Sequence, residues 1–161
     1  MHMRRTAAVG VAVAVGLGGA AVTSASSPGQ RGDGVEVLRT TSEETSRVFQ
    51  DLDDSGSPSP GDNIVLAADI RRNGQVIGHN VAKGTVTRVI GQRILWNFWS
   101  VTSLPGGEIT LHGVFDSAAG AGPHRYAITG GTGKYRRARG QVVYHVSDNG
   151  ARSTGVTRII H

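Results

Sequence analysis

The chain has 161 residues, 24 glycines, no cysteine, and a formal charge of +5 from 17 Lys and Arg against 12 Asp and Glu. Without cysteine it can build neither a disulfide framework nor a thiolate metal centre, and it cannot be lipidated through a thiol. The charge is only mildly basic for this length, and the size is that of one domain with one core.

The N-terminus comes first. Met1 to Arg5 carry two arginines, and Thr6 to Val22 are an uncharged run dominated by Ala, Val and Gly. This is the layout of a secretory signal peptide. The run is short for a membrane span and too rich in Gly and Ala to anchor stably, so cleavage is expected rather than membrane anchoring. Small residues in Thr23 to Ser27 place the cut after Ala25, giving a signal peptide over 1–25 and a secreted, extracellular product. Residues 26–34 lack apolar periodicity and read as a flexible tail, leaving 35–161 as the domain.

From Val35 onward, β-branched and aromatic runs alternate with Gly, Pro, Asn and Asp punctuation, and no long helical period appears. The predicted strands are Val35 to Gln50, Asn63 to Arg72, Gln75 to Ile90, Arg93 to Ser103, Glu108 to Asp116, His124 to Thr129, Arg139 to Val146 and Arg152 to Ile160. Asn73-Gly74 suits a tight hairpin. Pro105-Gly106-Gly107, Ala119 to Pro123 and Asp148-Asn149-Gly150 supply the other turns. Short connections make neighbours antiparallel, and eight such strands leave two exposed edges unless they close. The expected fold is therefore all-β, a closed eight-stranded antiparallel up-and-down barrel, with a sandwich as the alternative. A barrel of this size is either filled by side chains or holds one small ligand.

The strand faces carry more. In Glu108 to Asp116, Ile109, Leu111 and Phe115 share one face while Thr110, His112 and Asp116 share the other. Ile94 to Val101 is apolar on both faces, as expected if one covers a lumen and the other meets a second subunit, so a homo-oligomer is expected. Trp96, Phe98, Leu111, Phe115 and Tyr144 are the candidate ligand-binding residues.

The most distinctive stretch is YAITGGTGKYRRARGQV (Tyr126 to Val142): a strand, a glycine turn, a short basic segment and another strand. Gly130, Gly131, Gly133 and Gly140 are its structural residues. It resembles the glycine-turn signature shared by allene oxide cyclases and dirigent proteins, through Gly130, Gly131, Thr132, Gly133, Tyr135, Arg136, Ala138, Arg139 and Gly140. PSPGD (Pro58 to Asp62), NGQVIG (Asn73 to Gly78) and LPGGEITLHG (Leu104 to Gly113) add weaker matches, so that the resemblance spans roughly Asp51 to Val146. It implies a calycin-like barrel, often trimeric, whose apolar lumen takes a small hydrophobic or phenolic molecule and steers its cyclisation or coupling without a cofactor.

The acidic and asparagine set of the plant cyclases is not repeated. Glu36 is followed two residues on by Leu38, Ala68 stands where the second-strand asparagine is expected, and the third strand has no cysteine. The resemblance thus implies the barrel and its pocket rather than allene oxide cyclisation. Dirigent proteins place acidic residues, a tyrosine and an arginine around the pocket. On that analogy Arg139 is a candidate at the barrel mouth to orient a phenolate or carboxylate, and Asp69 a candidate proton donor or acceptor. A tether for the turn and an outward strand charge are their plainer alternatives. A non-catalytic extracellular carrier or interaction module with a packed barrel is the competing functional reading.

Other motifs are incomplete. DLDDSGSPSPGD (Asp51 to Asp62) has calcium-loop spacings, but it ends in Asp rather than Glu, holds two prolines and lacks flanking helices. GGTGK lacks the earlier glycine and the following hydroxyl of a phosphate loop. The histidines show no ligand spacing and no GxSxG elbow exists, so no metal and no serine triad is expected. KYRRAR is basic, but export makes nucleic acid an unsuitable partner.

Overall fold

A computed structural model describes residues 34–147 and 150–161. The expected signal peptide, the tail up to residue 33 and the Asp148-Asn149 part of the last turn lie outside the described residues. The strands are β1 (Val35–Gln50), β2 (Asn63–Arg72), β3 (Gln75–Ile90), β4 (Arg93–Leu104), β5 (Gly107–Asp116), β6 (His124–Gly131), β7 (Arg139–Val146) and β8 (Arg152–Ile160). Single 3-10 turns occupy Ser117–Ala119 and Gly133–Tyr135.

Each strand pairs antiparallel with the next, and β1 pairs with β8 from Val35 opposite Ile160 to Glu43 opposite Arg152. The sheet is a closed barrel, not a sandwich, and each of its eight strands pairs with a neighbour on both sides. The β2–β3 hairpin turns on Asn73 and Gly74, both at positive φ, as a two-residue hairpin of the twist-matched kind requires.

Alternation then decides what faces inward. Leu38, Thr40, Ser42 and Glu44 of β1 share the lumen face with Ile64, Leu66, Ala68 and Ile70 of β2. In β1 the register shifts between Glu44 and Ser46, so that Arg47 lies opposite Leu66 and joins the same face. This bulge breaks the simple period that the sequence displays.

The glycine turn closes one end of the cylinder. Tyr135, Ala138 and Ile159 are at most 1% exposed and plug it. The plug requires very close chain approach: a Cβ on Gly131 would stand 2.2 Å from the Glu108 carbonyl oxygen, and one on Gly133, at φ +55°, 2.2 Å from that of Gly106. Gly140, at φ +126°, would bring a Cβ to 2.0 Å from the Arg158 oxygen, so both its conformation and its space exclude a side chain. Gly130 is roomier, with Thr110 Oγ1 3.6 Å from its Cβ position. Lys134 lies over the Tyr135 ring, 4.6 Å from its centre, and covers the plug from outside.

Candidate functional site

The barrel is not filled. Its lumen contains a cavity of about 370 Å³, within the range of small-molecule sites. The cause is an unequal wall. Trp96 and Phe98 on β4, Phe115 on β5, Tyr126 on β6 and Tyr144 on β7 bring rings inward, while Ala68, Ala82, Ser153 and Gly155 on β2, β3 and β8 leave space opposite them. Two glycines let the rings lie flat against the wall. A Cβ on Gly84 would sit 2.5 Å from the Phe98 ring, and one on Gly113 2.5 Å from the Tyr126 ring. Phe98 and Tyr126 stack with ring centres 6.3 Å apart and planes at 22°.

The aromatic series continues towards the other end. Phe115 stacks on His124 at 4.4 Å, His124 faces Tyr144 at 5.2 Å, and Phe49 meets Trp96 edge-on at 6.3 Å. His124 is 3% exposed and its Nε2 lies 3.1 Å from the Gly120 carbonyl oxygen, which fixes the β5–β6 connection over the aromatic end.

The uncharged polar lining groups are Thr40 and Ser42 on β1, Ser153 and Thr157 on β8, and Asn80, Ser100 and Thr102 on β3 and β4, besides the two tyrosines. On the β3–β4 side, Asn80 Nδ2 donates to Thr102 Oγ1 at 2.8 Å and to the Val101 carbonyl at 3.2 Å, with Ser100 beside them. Among the described residues, charged side chains line only the mouth, at Glu44, Arg47 and Arg152. There Arg47 grips Glu44 through Nε to Oε1 at 2.9 Å and Nη2 to Oε2 at 2.6 Å, and reaches the Gly150 carbonyl at 3.4 Å. This double hydrogen bond holds the Arg47 guanidinium protonated beyond its ordinary range.

Within the lumen the Tyr126 and Tyr144 hydroxyls meet at 3.0 Å, their rings edge-on at 76°. Burial pushes the Tyr144 phenol up to about 12 and that of Tyr126 further still, so both remain neutral hydroxyls at any physiological pH.

The five expected ligand-binding residues, Trp96, Phe98, Leu111, Phe115 and Tyr144, all line this one cavity. The two expected catalytic residues do not. Asp69 stands between Ala68 and Ile70, which face inward, so alternation turns it out. It accepts from His79 Nδ1 at 3.0 Å and faces Arg71 at 3.8 Å, within an outer-face network that continues through Glu43 to Arg152. Arg139 has the opposite parity to Val142 and Tyr144, and it sits at the plugged end rather than the mouth. Its Nη1 donates to the Ala138 carbonyl at 2.9 Å, tethering the turn.

The sequence reading missed Glu44, Arg47, Asn80 and Tyr126. For Glu44 a signal was present, because Leu38, Thr40, Ser42 and Glu44 alternate on one face; for Arg47 the bulge conceals it. In the Asp51–Asp62 loop, Asp51, Asp53 and Asp62 bring one oxygen each within 4.8 Å of one another. Their oxygens accept from the loop itself: Asp62 from the Leu52 and Ser59 amides at 2.8 and 2.7 Å, and Asp51 from the Gly56 amide at 2.7 Å. The Ser55 and Ser59 hydrogen bonds hold the Asp53 carboxyl down at about 2.

Residues 38–154 match the family model described as allene oxide cyclase barrel like domain. Among curated proteins no sequence matches the chain. Among solved structures, pyocyanin demethylase superposes with a TM-score of 0.67 at 18% identity, over 76% of this chain and 99% of that one. The Diels-Alderase AbmU from Streptomyces koyangensis gives 0.63 at 16% identity, covering 81% and 70%. The pterocarpan synthase dirigent protein GePTS1 gives 0.64 at 15% identity, covering 86% and 96%.

Proposed function

The chain belongs to the family of allene oxide cyclase barrel like domains, and from that premise we propose that its lumen binds a small, neutral, hydrophobic or phenolic molecule and steers its cyclisation or coupling. The observation that carries this is the cavity of about 370 Å³ with rings on one wall and, among the described residues, its charged lining confined to the mouth. A desolvated apolar lumen favours neutral ligands, because a charge taken inside would find no partner below the Glu44–Arg47 pair. Steering needs no more than shape. Holding a flexible molecule in one reactive conformation supplies orientation that solution does not, and the stacked Phe98 and Tyr126 rings give a flat surface for it. Solved structures of the same fold include proteins named as Diels-Alderase and dirigent protein, which supports this reading without fixing the substrate.

The neutral fluorophore phenylnaphthylamine tests the lumen. It is expected to bind the purified protein one to one, and Ala82→Trp, which fills the space opposite the rings, is expected to abolish binding while the barrel stays folded. Absence of binding, or binding indifferent to Ala82→Trp, overturns the reading. Steering is read from the products of a simple prochiral phenol coupled by an external one-electron oxidant. An excess of one enantiomer supports it, and racemic product with the phenol bound reduces the protein to a carrier.

The reading extends to assembly and location. Val65, Val81, Trp99 and Val114 are 40–56% exposed on the outer face of β2 to β5, where the register sets Lys83 between Val65 and Trp99, and this largely apolar face suits a second copy of the chain. A homo-oligomer, a trimer on the family analogy, is expected by light scattering and is lost in Trp99→Lys. A monomer in the unaltered protein would overturn it. Export with cleavage after Ala25 is checked by N-terminal sequencing of the mature protein.

A further inference from the structure

Two hydroxyls 3.0 Å apart hold two protons, and only one of them can lie between the oxygens. Whichever tyrosine donates to the other, one phenolic O–H is left over. Both side chains line the lumen, and no other side chain of the described residues is hydrogen-bonded to either hydroxyl. The second proton is therefore available to whatever occupies the cavity.

We infer that the Tyr126–Tyr144 pair is a hydrogen-bond donor site for a carbonyl oxygen, making the lumen selective for neutral apolar molecules that carry a ketone, enone or quinone group. The inference rests on the lumen being the ligand site and deepens that reading by naming the ligand's polar group.

Three observations converge on an acceptor oxygen rather than on other groups. A phenol oxygen shares its lone pairs with the ring, so a tyrosine pair donates better than it accepts. The pair sits among Phe98, Phe115 and His124, with ring centres 6.3 Å from Phe98 to Tyr126 and 5.2 Å from His124 to Tyr144, so a ligand held there lies against aromatic faces. Flat conjugated ketones fit such a place. Finally, burial keeps both phenols protonated, which preserves the donor and leaves no phenolate to attract a cation. A carboxylate ligand is disfavoured for the converse reason, because the guanidinium of Arg47 at the mouth is already engaged by Glu44.

The pairing also gives the site an unusual tolerance. Removing one hydroxyl deletes the internal hydrogen bond but leaves one proton, now free for the ligand. Removing both deletes the donor. Single and double substitutions should therefore be non-additive, which a purely structural tyrosine pair does not predict.

The naphthyl ketone prodan and its analogue with propyl in place of propionyl are the probes, since a hydrogen bond to the ketone shifts prodan emission to the red. The protein is expected to bind prodan roughly tenfold more tightly than the alkyl analogue, with red-shifted emission. Tyr126→Phe and Tyr144→Phe should each keep the preference and the shift. The double variant should lose both while still binding the alkyl analogue, which also reports that its lumen is intact. Equal binding of the two probes by the unaltered protein overturns the inference and leaves the lumen reading standing. Single variants that lose as much as the double overturn the shared-proton argument. If neither probe binds, the lumen reading fails and takes the inference with it.

Discussion

At the plugged end of the barrel, a methyl group added to Gly131, Gly133 or Gly140 would lie 2.0–2.2 Å from a carbonyl oxygen of another segment. At the other end the corresponding space beside Gly56, Gly91 and Gly120 is empty to 4 Å. The plug is backbone packed on backbone, with Tyr135, Ala138 and Ile159 sealed beneath it. The far end is loops and side chains, and its lumen-lining charges are tied by exposed ion pairs. Interiors packed that tightly tolerate almost no change of volume, whereas loops over a scaffold can vary without loss of fold. The motif most legible in the sequence therefore marks where the fold is fixed, while the cavity and its charged lining residues lie beyond it.

A matched pair of alanines probes the two ends directly. Gly140→Ala combines φ +126° with a 2.0 Å clash against the Arg158 oxygen, and it should cost about 3–5 kcal/mol. Gly120→Ala, at φ +55° and ψ −124° with nothing within 4 Å, meets no clash and carries only its backbone strain, about 1–3 kcal/mol. Chemical denaturation of both variants reads the difference. Equal losses would mean that the two ends are equally constrained.

Next in size is the alkaline limb of stability, which reports on the wall between the ends. The Tyr126 and Tyr144 phenols have folded pKa values raised by burial above the ordinary value near 10, that of Tyr144 to about 12. A raised folded value contributes stability that is fully present below about pH 10 and is lost as pH rises through the folded value, here between 10 and 12 and beyond. The loss reaches about 2–3 kcal/mol from Tyr144 by pH 12. Melting temperature is expected to fall over this window, and the fall is expected to flatten in the double phenylalanine variant. An unchanged slope in that variant would show that the lumen hydroxyls are already hydrated.

What the sequence displayed and what it hid follow from the same contrast. All eight strands are where turn residues and β-branched runs place them; β6 runs on to Gly131, and β4 and β5 each take one more residue at the Pro105-Gly106 turn. Turn chemistry is local, so one chain suffices to read it. Which face of a strand meets the lumen is local only while the period holds. Leu111 and Phe115 obey it, and their place in the wall was readable. Arg47 is carried inward by the shift between Glu44 and Ser46, which no residue type announces. Asp69 is the opposite case. Its parity, opposite to that of the apolar Ala68 and Ile70, turns it outward, and strand alternation alone displays this. Arg139 was placed at a mouth because the sequence does not say which end of a barrel a turn closes; only the burial of Tyr135 and Ile159 does.

A third test asks whether the far end has any fixed point. Asp62 is 1% exposed and its carboxylate caps the Leu52 and Ser59 amides, while its own carbonyl accepts from Val86 at 2.8 Å. Asp62→Ala strands two amides in a loop that otherwise has room, at a cost of about 2 kcal/mol. Thermal unfolding checks this. A loss as large as that of Gly140→Ala would move the rigid boundary of the barrel out to the β1–β2 loop.

The smallest expected effect lies at the mouth itself. The Arg47 side chain is 47% exposed and that of Glu44 21%, so their attraction is screened by water. Arg47→Ala should therefore lower stability by less than about 1 kcal/mol, and by less still in high salt. Ligand exchange is a different matter, because Arg47 spans the opening from Glu44 to the Gly150 carbonyl. On the proposed function, removing the guanidinium widens the exit without touching the aromatic wall. Dissociation of a lumen-bound fluorophore in stopped flow is expected to speed up while the melting temperature barely moves. If instead the melting temperature falls steeply and dissociation is unchanged, Arg47 is a structural strut, and the division between a fixed floor and an adaptable mouth fails at the residue that should best display it.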